Sequence, residues 1–393
     1  MNSMIFFILG ISLVLKIILF IKKRDEPLLS DCQDYHDLAL HLLKWEFRVP
    51  GTKLDEFRTP GYPFFISLIY RVFGIQQEPV YIVQIIINLA TIYIAYLIGS
   101  MLSGQITGVL LACILVIDPD TVNYIFDFLT ETLFTFFLLL SIYLMLLFDH
   151  SGAVVYPILT GIVLSTMTYI KPGAFLLPVI YCCILPWDEM NYLLGAYLIP
   201  LVFWFMRNYV KYGHFRLCSI SAYNLYAYNT NADEKDNFKE SMIVYLIKKN
   251  RKDCGFEIMN YLNQKARNVI FSEPFIIIKN IIKGLYRLHF SATWHLFSIR
   301  FLEGSSWPEK TLTFSKGNWK YIRRPLLLYQ FICLMMLYPL TLLGIVEIWN
   351  TKIGLMLTCI ILYFGLLPLG AGHPRYKIPI IPLMLLIAIN YVI

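Results

Sequence analysis

Ten stretches of this chain are apolar over lengths that suit a lipid bilayer. Crossing the hydrocarbon core as a helix takes about 20 apolar residues, with a range of about 17–25. Segments 4–21, 80–99, 127–148, 154–170, 191–206, 327–349, 354–370 and 376–393 are clear candidates; 104–118 and 174–187 are short but strongly apolar. In lipid every backbone amide must bond within its own segment, so runs of this kind fold as helices. The expectation is an all-α polytopic membrane protein with about ten transmembrane helices. Segment 61–74 would reach only about 21 Å at about 1.5 Å per residue, so it is expected to lie at the interface rather than cross.

Composition agrees. Of 393 residues, 58% are hydrophobic and 15% charged, against about 25% charged for a soluble domain. The 27 Tyr and 28 Phe suit bilayer interfaces, where one end of a ring is apolar and the other wet. A net charge of +7 fits contact with anionic headgroups or lipid phosphates. No basic stripe or binding motif points to nucleic acid. The eight cysteines show no CxxC or Cys/His metal spacing and read as small apolar residues. Segment 4–21, followed by Lys22-Lys23-Arg24 with no small-residue cleavage site, reads as a retained helix.

Charged residues next to a bilayer are expensive to desolvate and mark candidate sites. Asp31, Asp34 and Asp37 open the loop after the first helix. With helical geometry Asp31, Asp34 and Tyr35 share one face, at i, i+3 and i+4. Arg58-Thr59-Pro60-Gly61-Tyr62-Pro63 is a stiff turn: its prolines fix φ and Gly61 permits a tight path. A guanidinium held still in this way can grip phosphate with two hydrogen bonds. Glu131 stands at the start of an otherwise apolar helix, with Asp118, Asp120 and Asp127 just upstream. Of these, Asp118 precedes Pro119 at a helix end and reads as structural. Lys171-Pro172, Arg207-Asn208-Tyr209 and His373-Pro374-Arg375-Tyr376 are cations at helix ends.

Counting crossings brings these groups together. If 61–74 does not cross, 80–99 and 104–118 return the chain to the side of Asp31, so Glu131 shares its face. Continuing the count, Lys171, Arg207 and His373 to Tyr376 fall on the same side. Lys22, Lys23 and Arg24 also lie there, which opposes the rule that positive loops stay cytoplasmic. An extracytoplasmic site is therefore argued from chemistry against that charge signal. Three regions are expected: a catalytic membrane module over 1–206 with its acidic first loop at 22–79, an extracytoplasmic and interfacial region over 207–324, and C-terminal membrane helices over 325–393. Within the middle region, 240–268 reads as a helix of mixed charge. Segment 274–290 reads as amphipathic and lying on the membrane. No internal repeat is visible.

Taken in order, these pieces resemble the GT-C superfamily of polyprenyl-phosphate-sugar-dependent glycosyltransferases, in the branch of protein O-mannosyltransferases and the lipid A aminoarabinose transferase. The family's first-loop pattern is similar to Asp31, Tyr35 and Ala39, and its R-x-P-G-Y-P turn is met by Arg58 to Pro63. Its acidic residue before Leu-Phe looks like Glu131. Its W-x-x-R-N-Y-x-x-x-G-x-F stretch resembles Trp204, Arg207, Asn208, Tyr209, Gly213 and Phe215, and its G-H-x-R-Y element resembles Gly372, His373, Arg375 and Tyr376. Lys171 departs from the pattern, where an Arg-Pro is commoner. The lack of a large C-terminal soluble domain favours a glycan or lipid acceptor over a polypeptide.

The resemblance implies direct, inverting sugar transfer from a polyprenyl-phosphate donor. Asp31 would be the general base, with Asp34 beside it, and Glu131 the second acid. Arg58, Lys171, Arg207, His373, Arg375 and Tyr376 would hold the donor phosphate, and Tyr35 and Tyr62 would position substrate. No metal ligand set is assigned. The acids leave a divalent ion such as Mg²⁺ or Mn²⁺ open as a cofactor. The partners are the lipid-linked donor, a glycan, lipid or protein acceptor, and membrane lipid. The rivals are a flippase for a polyprenyl-linked lipid, which predicts mid-helix charges and repeated halves, and an O-antigen-type polymerase or ligase. Richness in Ile, Lys, Asn, Phe and Tyr suits an AT-rich genome, and the expected location is a bacterial inner (plasma) membrane.

Overall fold

Every apolar run forms helix in the computed structural model, which describes residues 2–24, 26–28, 31–46, 57–230, 255–290 and 320–393. The chain begins with α1 (Asn2–Lys23). Two short helices of 13 residues each, α2 (Asp31–Leu43) and α3 (Gly61–Phe73), separate it from α4 (Glu78–Ser103). The next run bends by 47° between α5 (Gln105–Ile117) and the piece made of α6 (Pro119–Asn123) and the 3-10 turn Tyr124–Phe126. The bend has a local cause. Pro119 has no N–H to continue α5. Asp118 turns extended and caps α6, accepting from the Thr121 N–H at 2.9 Å.

After α7 (Glu131–Ser151) and α8 (Val155–Ile170), the segment read as 174–187 is broken into a 3-10 turn at Pro172–Ala174 and α9 (Leu177–Cys182). Pro172 and Pro178 each open their short piece, as proline does at a helix start. Then follow α10 (Trp187–Tyr212), α11 (Ile220–Asn229), α12 (Gly255–Ser272), α13 (Pro274–Phe290), α14 (Lys320–Ile348) and α15 (Lys352–Leu366). A 3-10 turn at Leu369–Ala371 and another at Pro374–Ile380 lead into α16 (Ile381–Val392).

Among the described residues five segments are long and apolar enough to cross a membrane: Ser3–Lys23, Glu78–Ser103, Glu131–Ser151, Trp187–Tyr212 and Pro374–Val392. The bent pair is a sixth candidate, and Val155–Ile170, Pro172–Cys182, Ile332–Ile348 and Lys352–Leu366 are shorter apolar helices. Together they correspond one to one with the ten runs read from the sequence. The helix expected from 127 starts at Glu131, because Asp127 is extended. Segment 61–74 is the short helix α3. Outward-facing apolar side chains such as Phe7, Ile86, Phe203 and Val346 are more than half exposed, as a lipid-facing surface requires.

The segment read as 240–268 is helical from Gly255; residues 231–254 lie outside the described part. Helix α13 exposes Phe275, Ile278, Ile282 and Tyr286 and buries Asn280, Gly284 and Leu288. Gly284 has no room for a Cβ against the backbone of Leu369 and Gly370. It thereby seats α13 on the chain just before His373.

Candidate active site

Helix α2 starts at Asp31, with Asp31 and Asp34 in its first turn, where the helix dipole favours negative charge. Being one turn apart, both carboxylates reach the same cation. The Arg58 Nη2 donates to Asp31 Oδ1 at 2.7 Å and to Asp34 Oδ2 at 2.8 Å. Its Nη1 donates to the Tyr35 hydroxyl at 3.3 Å.

The turn holding Arg58 is anchored on both sides. The Phe57 carbonyl accepts from Ile220 N–H at 3.2 Å. The Thr59 hydroxyl donates to the Ile170 carbonyl at 3.4 Å. A Cβ on Gly61 would stand 2.6 Å from the carbonyl carbon of Tyr169, so only glycine lets the turn sit on the end of α8. The residue after that end is Lys171. Burial works against the Arg58 charge, but Tyr35, Asp31 and Asp34 outweigh it and raise its pKa above the ordinary value. The cation is permanent.

Glu131 is 2% exposed at the start of α7. Its Oε1 accepts from Lys171 Nζ at 3.1 Å and lies 3.8 Å from Arg375 Nε. Arg375 turns its other edge to Asp31, with Nη2 donating to Oδ2 at 2.8 Å. The result is one alternating chain, Asp34–Arg58–Asp31–Arg375–Glu131–Lys171. The acids and bases balance within it. Four of its members are partly exposed: Asp31 is 22%, Asp34 33%, and Arg375 and Lys171 each 21% exposed.

Aromatic residues line this chain. The Tyr376 ring lies 4.7 Å from Lys171 Nζ and 5.2 Å from the Arg375 guanidinium carbon, within cation–π range. Arg58 stands 4.7 Å from the centre of the Tyr35 ring. Burial, ahead of the opposing pull of Arg58, pushes the Tyr35 pKa up to about 12, so this phenol stays neutral. Burial, and then the Arg375 charge, lowers the His373 pKa to about 4. Its Nδ1 accepts from the Arg375 backbone N–H at 3.3 Å, which leaves the ring proton on Nε2.

Two residues from the sequence reading stand apart from this chain. Tyr62 is fully buried behind Tyr35, with ring centres 5.0 Å apart, and its hydroxyl donates to Gln84 Oε1 at 3.0 Å. Arg207 makes none of the ion pairs of Asp31, Asp34 or Glu131. It donates to Asn208 Oδ1 at 2.7 Å and lies over Trp204 and Tyr212. Its neighbours in the W-x-x-R-N-Y stretch close the end of α10: Trp204 Nε1 and Asn208 Nδ2 donate to the carbonyls of Leu217 and Arg216, each at 2.7 Å. Gln84 escaped the sequence reading. It donates to the carbonyls of Ile125 and Asp127 at 2.8 and 3.0 Å, holding the loop before Glu131. Its only sequence signal is an amide in the middle of an apolar helix. Among the described residues no group of three His, Cys, Asp or Glu side chains is arranged to hold a metal ion. The site acids are matched to cations instead.

The chain is similar to known proteins in sequence over one region and in fold over its length. Residues 57–206, from the Arg58 turn through α10, match the model of the family described as dolichyl-phosphate-mannose-protein mannosyltransferase. ArnT from Cupriavidus metallidurans, solved with undecaprenyl phosphate bound, superposes over 100% of this chain and 60% of its own, with a TM-score of 0.53 at 12% identity. The Archaeoglobus fulgidus oligosaccharyltransferase in its apo form superposes over 98% of this chain and 50% of its own, with a TM-score of 0.53 at 11% identity. The chain thus spans between half and three fifths of the length of these structures. Among curated protein sequences none matches. The family match is confined to residues 57–206, and the two solved structures, at 11% and 12% identity, share this chain's fold.

Proposed function

We propose that the protein is an integral membrane glycosyltransferase. It moves a sugar from a polyprenyl-phosphate donor to an extracytoplasmic glycan, lipid or protein acceptor, with inversion at the anomeric carbon. The observation that carries this reading is Asp31, held between Arg58 and Arg375 at 2.7 and 2.8 Å and still partly open to the outside. The structurally similar ArnT binds undecaprenyl phosphate, a molecule of the donor-lipid class, which supports the same reading.

In the resting site each cation is neutralised by a carboxylate. A donor phosphate competes for the same N–H groups on Arg58, Arg375 and Lys171, and charge-assisted bonds of this kind are strong. As those contacts pass to phosphate, the Asp31 carboxylate is freed to accept the proton of an acceptor hydroxyl. The hydroxyl oxygen bonds to the anomeric carbon from the face opposite the phosphate. The bond from that carbon to the phosphate oxygen breaks, and polyprenyl phosphate leaves with the electron pair. Arg58, Arg375 and Lys171 stabilise the charge that develops there. Tyr376 and neutral His373 hold Arg375 in place, Asp34 keeps Arg58 aimed, and Glu131 orients Lys171 and Arg375. Tyr35, backed by Tyr62, borders the acceptor side. Arg207 contributes through the end of α10 rather than through the phosphate. The catalytic module is residues 1–206, completed by the late element His373 to Tyr376. The site faces the outside of a bacterial inner membrane.

The test is transfer from a panel of radiolabelled polyprenyl-phosphate sugars in proteoliposomes holding the full chain. Turnover of one donor is the expected result. Movement of the lipid between leaflets with no sugar released from any donor would overturn the reading in favour of a flippase.

A further inference from the structure

Beneath the site lies a second ion pair that the mechanism does not use. Lys377 Nζ stands 3.4 Å from Asp120 Oδ2, with the two side chains 2% and 8% exposed. Neither Lys377 Nζ nor Asp120 Oδ1 has a hydrogen-bond partner among the described residues. Isolation of this kind separates the pair from any substrate. It also raises the question of why two charges are kept where apolar side chains would pack more cheaply. A buried ion pair is weak evidence for stability, and its best-attested use is to fix one arrangement against alternatives.

The arrangement it fixes can be read from the chain. Lys377 follows Arg375 by two residues in the 3-10 turn Pro374–Ile380. With about three residues per turn, positions i and i+2 point to different sides. Arg375 therefore reaches Asp31 and Glu131 while Lys377 reaches inward to α6. Asp120 belongs to the piece that runs through Tyr124 to Glu131. Next to Lys377 in the chain, Ile378 is buried together with Tyr124 and Leu129, and the three pack against Cys32 and Tyr35 of α2. The three segments carrying Asp31, Glu131 and Arg375 thus meet on this small apolar cluster, and the ion pair crosses between two of them.

We propose that Asp120 and Lys377 are positioning residues for sugar transfer: their buried pair sets the 3-10 turn so that Arg375 lies between Asp31 and Glu131. The proposal rests on the glycosyltransferase reading for its purpose, and on the geometry alone for its mechanical content.

The test uses the full chain in nanodiscs and the doubly neutral variant Asp120→Leu/Lys377→Met, which removes both charges of the pair together. Its thermal unfolding should stay close to that of wild type. Phenylglyoxal modification of Arg375, followed by mass spectrometry, should become several-fold faster as the guanidinium leaves its two carboxylates. Affinity for undecaprenyl phosphate should fall about tenfold, and in an Arg375→Ala background the same pair of changes should cost less than about twofold more, the signature of coupled residues. The variant Lys377→Arg, which keeps the pair, should retain the wild-type affinity. An unchanged Arg375 modification rate overturns the proposal whether or not the lipid binds. So does an equal loss of affinity with and without Arg375. Failure of wild type to bind undecaprenyl phosphate, with Arg375 still protected by the pair, would count against the donor reading alone.

Discussion

The two ends of α7 carry the same kinds of residue in opposite circumstances. At its start Glu131 is buried and matched to Lys171 and Arg375. At its other end Asp149 and His150 are exposed, and the helix stops at Gly152 with φ +67°. The exposed Asp188 at the start of α10 and the exposed Lys352 at the start of α15 are likewise solvated helix-end charges. Surface charges of this sort contribute little, whereas removing one partner of a buried pair leaves a charge without compensation. The difference sets the proposed site apart: charge is retained there in spite of burial, and by pairing.

Substitutions can sharpen that contrast. The largest loss of stability is expected at the buried end. Glu131→Gln or Lys171→Met alone should destabilise by about 3–5 kcal/mol, and the two together by clearly less. Thermal unfolding in detergent, read for both singles and the double, checks this; equal losses for all three would mean that the pair is not coupled. Gly61→Ala should cost about 1–3 kcal/mol, because its Cβ must push the Arg58 turn off α8. It should also raise the donor KM more than it lowers kcat.

A pH effect follows next in size. His373 has a pKa of about 4 in the fold against an ordinary 6.5. Between those values the unfolded chain binds a proton that the folded one does not. The stabilisation is therefore complete above about 6.5 and is lost as pH falls toward about 4. Protonation would also remove the acceptor that holds the Arg375 N–H. His373→Gln should flatten the pH dependence of unfolding across that window. The smallest effect belongs to the exposed end: Asp188→Asn should change stability by less than about 0.5 kcal/mol and leave transfer intact. A large loss of transfer there would erase the contrast between the two ends.

Much of this contrast is legible in the sequence, for physical reasons that also mark where legibility ends. Helices in lipid must be long and apolar, so the ten runs declare themselves. Asp31 and Asp34 converge on Arg58 because one helical turn separates them, and the Pro60-Gly61-Tyr62-Pro63 turn announces its stiffness. Asp118 behaves as a helix cap, as its place before Pro119 implied. Pairings between distant segments leave no local signature. Lys377 and Asp120 meet across more than half of the chain, and their signals in the sequence are separate: an aspartate among those upstream of Glu131 and a lysine within an apolar stretch. Arg207 shows the converse. Its motif is recognisable, yet Trp204 and Asn208 in that motif bond to the returning chain at Arg216 and Leu217, and spacing alone does not separate such a joint from a phosphate site.

The proposed chemistry stands or falls on Asp31 as the base, with the cations around it on the donor phosphate. Wild type and Asp31→Asn in proteoliposomes separate the two roles when sugar transfer and undecaprenyl phosphate binding are read on the same preparations. The expected result is a loss of transfer of about 10²–10⁴-fold, the usual contribution of a general base, with undecaprenyl phosphate bound no more weakly than by wild type and the variant still folded. Transfer that survives the substitution unchanged would contradict the assignment and move the base to Asp34 or Glu131.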